Sequence, residues 1–204
     1  MLTFKLAQTM YNAELKFAVP ANYRHVLEKC EAKFLDKEMI QDNYLDTRGL
    51  DLLQAGTYLR QRNSEMELKV PMNWQGDYKN YNGITEFFVF REEEIENILK
   101  NRFKTSLQDT KNLCSATFER EYWSYKEHCV IIDTIFGVGN EEMSRFGEIK
   151  FPEAVVRSGI DGRQKAMEIL NELEFGRSIQ GKLMTILKTQ NSFAYLKLKT
   201  MTGL

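Results

Sequence analysis

Three short segments of this chain alternate charge with the period of a β-strand. Asn12-Ala13-Glu14-Leu15-Lys16, Leu59-Arg60-Gln61-Arg62 and Glu67-Leu68-Lys69 each place charged residues two apart. Residues two apart on a strand share a face. Glu14 therefore sits with Lys16, Arg60 with Arg62, and Glu67 with Lys69. One such strand is an ordinary wet edge. Three of them, carrying both signs, describe a sheet with one face lined by cations and carboxylates. That lining suits a phosphate-rich anion, with or without a divalent metal. On the residues alone a plainer reading stays open, a solvated face crossed by ion pairs.

Bulk charge sharpens the first reading. The 204 residues carry a net charge of -1 and a pI near 6.2, so no global field draws in nucleic acid or an anionic membrane. Neither is an expected partner, and any cationic site must be local. Cys30, Cys114 and Cys129 are too few and too scattered for a disulfide framework, and no CxxC pair points to zinc. A reduced, cytoplasmic setting is expected. The opening MLTFKLAQTMYNAELKF lacks the apolar core and small-residue cleavage site of a signal peptide. No apolar run approaches the roughly 20 residues that span a bilayer. There is no GxGxxG and no GxxxxGK[ST], so phosphate contacts would come from side chains rather than from a glycine loop.

Periodicity organises residues 1–204 as a single domain. It predicts a strand over Ala13–Val19, then helical spacing in Tyr23, Val26, Leu27, Cys30 and Phe34. Extended segments follow at Met39–Asp46, Gly56–Arg62 and Glu65–Val70, separated by breaks at Gly49, Gly56 and Asn63-Ser64. Asn73–Gly83 reads as a polar loop, and Ile84–Phe90 as a strand. Ile95, Ile98, Leu99 and Phe103 repeat as a helix face. Ala116–Tyr125 and His128–Phe136 form a hairpin pattern, and Arg145–Phe151 another strand. Ala166, Ile169, Leu170 and Leu173 mark one helix. Leu183, Ile186, Leu187, Gln190 and Ala194 mark a last one, with Gln190 its polar exception. Seven or eight strands without regular βαβα alternation favour an α+β antiparallel sheet, closed into a barrel. No heptad or apolar edge argues for an oligomer, and a monomer is expected.

At this point the chain resembles the CYTH superfamily of triphosphate tunnel metalloenzymes, and within it the thiamine-triphosphatase branch. Tyr44-Leu45-Asp46-Thr47, Tyr58-Leu59-Arg60-Gln61-Arg62 and Glu67-Leu68-Lys69-Val70-Pro71 resemble that branch's YYDT, WLRQR and ELKCP elements. Glu14-Leu15-Lys16-Phe17 is similar to the end of the opening ExExK motif. Gly147-Glu148-Ile149-Lys150 is similar to the GExE strand, and Ile131-Ile132-Asp133 to a strand ending in an inward aspartate. Gly181-Lys182-Leu183-Met184 resembles AKLM, with Tyr195 and Leu196 placed like the YxxLL tail.

The resemblance implies an eight-stranded antiparallel tunnel with flanking helices. It implies a phosphate clamp of Lys16, Arg60, Arg62, Lys69, Arg120 and Lys182, with Tyr58 where the branch has a ring-stacking tryptophan. It implies magnesium or manganese on Glu14, Glu148 and Asp133, and hydrolysis of thiamine triphosphate to the diphosphate and phosphate. The physics agrees: a triphosphate carries about four charges, which guanidinium forks and lysine point charges match. No water-activating residue is identified. Two departures stand out. Asn12 replaces the first glutamate of ExExK, and Lys150 replaces the second of GExE. They raise an alternative, a triphosphate-binding protein with a degenerate metal site. An inorganic triphosphatase and an adenylate cyclase are further readings within the fold. His25 and His128 read as structural or surface residues, and Trp74 and Trp123 as packing.

Overall fold

The same alternation that carries charge on one face carries apolar residues on the other, and this sets the layers of the fold. The computed structural model describes residues 10–71, 84–91, 93–136, 142–151, 162–177 and 181–202. Its strands are β1 (Met10–Ala18), β2 (Lys33–Asp46), β3 (Tyr58–Arg62), β4 (Glu65–Pro71), β5 (Ile84–Arg91), β6 (Lys111–Tyr125), β7 (His128–Phe136), β8 (Glu142–Phe151) and the two-residue β9 (Gly176–Arg177). They are antiparallel, in the order β5-β4-β3-β2-β6-β7-β8-β1, with β9 beside the end of β1. β1 pairs with β8 on one edge and with β5 on the other, where Asn12 faces Phe87 and Glu14 faces Thr85. The ladders therefore run round all eight long strands. Such a ring gives every charged inner face a common interior.

Local chemistry fixes the turns. Asn63 heads the two-residue turn between β3 and β4 with φ 53°, a left-handed conformation that asparagine tolerates. Its Oδ1 accepts the Gln41 amide at 3.0 Å, tying the hairpin to β2. The short helix α2 (Asp51–Gln54) begins at Leu50, whose side chain cannot cap it. Asp46 does so from the end of β2, accepting the amides of Thr47, Leu52 and Leu53 at 2.7, 3.1 and 3.0 Å.

Helices cover the outer face. α1 (Tyr23–Lys29) and α4 (Gly162–Glu172) bury Leu15, Phe17, Val130, Ile132 and Ile149 under Tyr23, Leu27, Ile169 and Leu170. Glu121 pins α1 to β6: it accepts from Tyr23 Oη at 2.9 Å, from Trp123 Nε1 at 3.0 Å, and from Arg24. α3 (Glu93–Ile98), running on into a π-turn over Leu99–Phe103, packs Ile95 and Leu99 on Leu59, Leu68 and Val70. Two C-terminal helices, α5 (Lys182–Gln190) and α6 (Ser192–Thr202), do something different. Leu183, Ile186 and Leu187 pack with Ile40, Ala116, Phe118 and Ile135, so α5 plugs one end of the barrel. Phe118 lies two residues from Arg120 and shares its face.

The expected elements form, but β2 and β6 begin at Lys33 and Lys111, well before the expected Met39 and Ala116, and three further differences stand out. The first helix stops at Lys29 rather than running to Phe34, because Glu31 turns the chain at φ 60° and Phe34 enters β2. The last helix is two, broken at Asn191, whose Oδ1 accepts the Ala194 amide at 3.1 Å. α2 falls between glycines that read as plain breaks. Gln190, the polar exception, earns its place by bonding both backbone groups of Ser115, at 2.9 and 2.7 Å. The expected loop Asn73–Gly83, with Trp74, lies outside the described residues. Among the described residues, no helix is long and apolar enough to cross a membrane.

Candidate functional site

Charged side chains on the inner faces form two levels. The deeper level rests on the α5 plug. Arg62 grips Asp42 in bidentate fashion, Nε to Oδ1 and Nη2 to Oδ2, both 2.8 Å. Arg60 Nη1 reaches the same Oδ2 at 3.3 Å, and its Nη2 bonds Glu67. Arg120 grips Asp133 at 2.6 and 2.7 Å. Lys182, from the start of α5, donates to Asp133 at 2.7 Å and lies 3.8 Å from Asp42. These contacts follow from register: Asp42 faces Arg62, Arg60 faces Glu67, and Arg120 faces Asp133 on neighbouring strands.

All of this level except Arg62 is buried. Burial alone would raise the Asp42 pKa, yet the Arg62 hydrogen bond and the Arg60 and Lys182 charges bring it down to about 2. Burial pushes Lys182 down to about 8, against the pull of Asp133 and with the push of Arg120.

The shallower level is built on β1, β4 and β8. Glu14 is buried, with Lys69 Nζ at 3.0 Å from Oε2 and Lys16 Nζ at 3.6 Å from Oε1. Lys16 faces Glu148 across the β1–β8 ladder, and Glu14 faces Lys150. Glu148 and Lys150 are half-buried, and among the described residues neither has a hydrogen bond or ion pair. Burial would raise the Glu148 pKa, but Arg120, Lys69, Lys182 and Lys16 hold it well below the usual carboxylate range. Burial lowers Lys150 against the charge of Glu148, with Arg120 and Lys69 adding to the lowering. Arg60 keeps a buried Nε–H with no acceptor among the described residues. Across both levels, Lys16, Arg60, Arg62, Lys69, Arg120, Lys150 and Lys182 outnumber Asp42, Asp133, Glu14, Glu67 and Glu148 by two charges, in a chain whose net charge is -1.

The structure brings the six expected clamp residues into one interior. Tyr58 joins them, half-buried against the Tyr44 and Leu183 cluster. Asn12 lies in β1, but its side chain is outside the described residues. Asp42 is the residue the sequence reading missed. Its signal is the β2 alternation Ile40, Asp42, Tyr44, which acquires meaning only from the register against Arg62.

The magnesium or manganese site implied by the resemblance does not fit these donors. Among the described residues, no three of His, Cys, Asp and Glu converge as a metal cluster. Asp133 is clamped by Arg120 and Lys182, so it does not join Glu14 and Glu148 as a ligand. Both Glu14 oxygens face lysines. Glu148 is left as one carboxylate inside a positive field, with the Lys150 ammonium on its own strand face. Of the three implied ligands Glu148 alone is left without a cation bonded to it, so a divalent ion here would have to draw its other ligands from water and substrate phosphates.

A family model described as CYTH domain matches residues 10–178. No curated protein sequence matches. Among solved structures, a Hippeastrum protein proposed as an adenylyl cyclase and reported to have a dominant triphosphatase activity superposes with TM-score 0.59 at 16% identity, covering 87% of this chain and 95% of that one. A conserved hypothetical protein of Pyrococcus furiosus gives 0.58 at 15%, covering 84% and 98%. A proposed adenylate cyclase of Vibrio parahaemolyticus gives 0.57 at 15%, covering 89% and 100%. At these identities the likeness is one of fold.

Proposed function

The chain belongs to the CYTH domain family, and from that membership and the lining of its barrel we propose that it takes the triphosphate of a small molecule into the tunnel and hydrolyses it. One observation carries the reading. Glu148 has no bonded partner among the described residues, yet the surrounding cations hold its pKa down against burial. The seven cations of the two levels stand against five carboxylates, so the interior around Glu148 is net positive. Lys16, Lys69, Lys150 and Arg62 are half-buried cations able to reach a phosphate chain there. Phosphoryl transfer asks mainly for positioning and for positive charge at the developing oxyanions, both of which fixed cations supply.

Within that reading we propose thiamine triphosphate as the substrate. The support is the YLDT, YLRQR, ELKVP and GKLM elements and the position of Tyr58, whose ring is available to stack on a thiazolium. The test is phosphate release from thiamine triphosphate, inorganic triphosphate and ATP, each with magnesium, manganese or EDTA. Arg60→Ala and Lys69→Ala should each cut turnover by about 100-fold, the usual cost of one oxyanion donor. Unchanged turnover in either variant would sink the assignment. A second reading, a triphosphate binder without turnover, is favoured by the ion pairs that occupy nearly every interior cation. It predicts retained binding with no phosphate release from any of the three compounds.

A further inference from the structure

We infer that Lys150 supplies from the chain itself the positive charge that a divalent ion would bring, so that the tunnel takes its polyphosphate as the metal-free anion. The inference rests on the triphosphate reading above and specifies the form in which the ligand binds. Three observations support it. Lys150 sits on the inner face of β8, opposite Glu14 of β1 on one side and Cys129 of β7 on the other. Among the described residues its ammonium has neither a hydrogen bond nor an ion pair, whereas Lys16, Lys69, Arg60, Arg62, Arg120 and Lys182 all do. An interior cation without a bonded partner among the described residues, two residues from a carboxylate that also lacks one, is positive charge left over for a ligand. Finally, the carboxylates are already committed. Glu14 faces two lysines and Asp133 an arginine and a lysine, so an incoming magnesium ion would displace existing pairs and stand near the Lys150 charge.

Magnesium should then compete with the tunnel rather than assist it, because the complexed polyphosphate carries two fewer negative charges to the same cations. The probe is inorganic triphosphate, followed by titration calorimetry in EDTA and in excess magnesium. The expected result is binding in EDTA at least as tight as in magnesium. Lys150→Met should weaken binding in EDTA by about tenfold or more, the loss of one point charge beside a polyanion, and magnesium should not restore it. Lys150→Glu should weaken it further and make binding depend on magnesium, because Glu148 then gains a carboxylate on the same face. Thermal melts of both variants without ligand separate a folding loss from a binding loss. Binding of the parent protein only in magnesium overturns the inference and leaves the triphosphate reading standing. No binding in either condition overturns both.

Discussion

Asp133 is the keystone of the deeper charge level, and its removal has a calculable cost. The residue is 1% exposed, and its two oxygens hold Arg120, 3% exposed, and Lys182, 7% exposed. Asp133→Asn keeps the shape, removes the charge, and turns an amide NH2 toward one of two cations. Breaking a buried pair by neutralising one partner costs about 3–5 kcal/mol, since the other charge stays in low dielectric. A chain of this size loses about 2–4 °C of Tm per kcal/mol, so the variant should melt roughly 6–20 °C lower. Calorimetry or denaturant unfolding at neutral pH reads the change. Adding Lys182→Met should recover about 1–3 kcal/mol, because it removes one of the two orphaned cations, and the cycle would show coupling of that sign. A loss under about 1 kcal/mol, or strict additivity of the two changes, would refute the argument. It would mean that water reaches Arg120 and Lys182 and replaces the carboxylate.

Further consequences are open to direct measurement. Asp42 falls from an ordinary 3.8 to about 2, so the unfolded chain takes up the proton first as pH drops; this stabilisation is full above about pH 4, is lost by about pH 2, and amounts to about 2 kcal/mol. Acid unfolding followed by circular dichroism should therefore steepen between those limits, and a flat stability over that window would contradict the assigned contacts. Asp46→Ala leaves the Leu52 and Leu53 amides at the start of α2 and the Thr47 amide before it without their acceptor and should cost about 2 kcal/mol in urea unfolding. A Cβ at Gly147 would run into the Phe17 ring, which is itself stacked on Phe175 at 4.8 Å, so Gly147→Ala should destabilise by about 1–3 kcal/mol; a neutral effect would show that the ring yields freely. Tyr58→Ala should raise KM for thiamine triphosphate while leaving that for inorganic triphosphate unchanged, and equal effects on both would remove the stacking role.

Much of the tunnel was legible because a strand writes its faces into the sequence with period two. Glu14 with Lys16, Arg60 with Arg62, and Glu148 with Lys150 each declare a shared face, and the structure puts those faces inward. The resemblance supplied the number of strands, which periodicity left at seven or eight. What stayed hidden depended on pairing between distant segments. Asp42 looks like any polar residue among Ile40, Gln41, Asn43 and Tyr44, and only the β2–β3 register places it between two arginines. The α5 plug was hidden for a related reason. An amphipathic helix announces an apolar stripe but not the mouth it will close, so the burial of Lys182 could not be read from GKLM. Asp46 and Gly147 appear as motif letters in the sequence. In the fold they are a helix cap and a gap left for a ring.

The two levels of charge divide the work. The deeper one is closed on itself: Asp42 and Asp133 each answer more than one cation, and pulling Arg120 or Lys182 toward a substrate would strand a buried carboxylate. Its natural role is to hold the ring and the plug together and to project a field. The shallower level is built from looser pairs. Lys16 stands 3.6 Å from Glu14 and is one-third exposed, and Lys150 and Glu148 are uncommitted among the described residues. Side chains of this kind reorient at small cost, because water still solvates part of them. A phosphate chain entering the tunnel would thus take up the uncommitted Lys150 and the long Lys16 contact, compete with Glu14 for Lys69, and be stabilised from below by Arg120 and Lys182 without direct contact. This arrangement explains how a barrel so fully ion-paired keeps a usable positive surface. It also places the decisive substitutions at Lys16, Lys69 and Lys150 for binding, and at Asp42, Asp133 and Arg120 for folding.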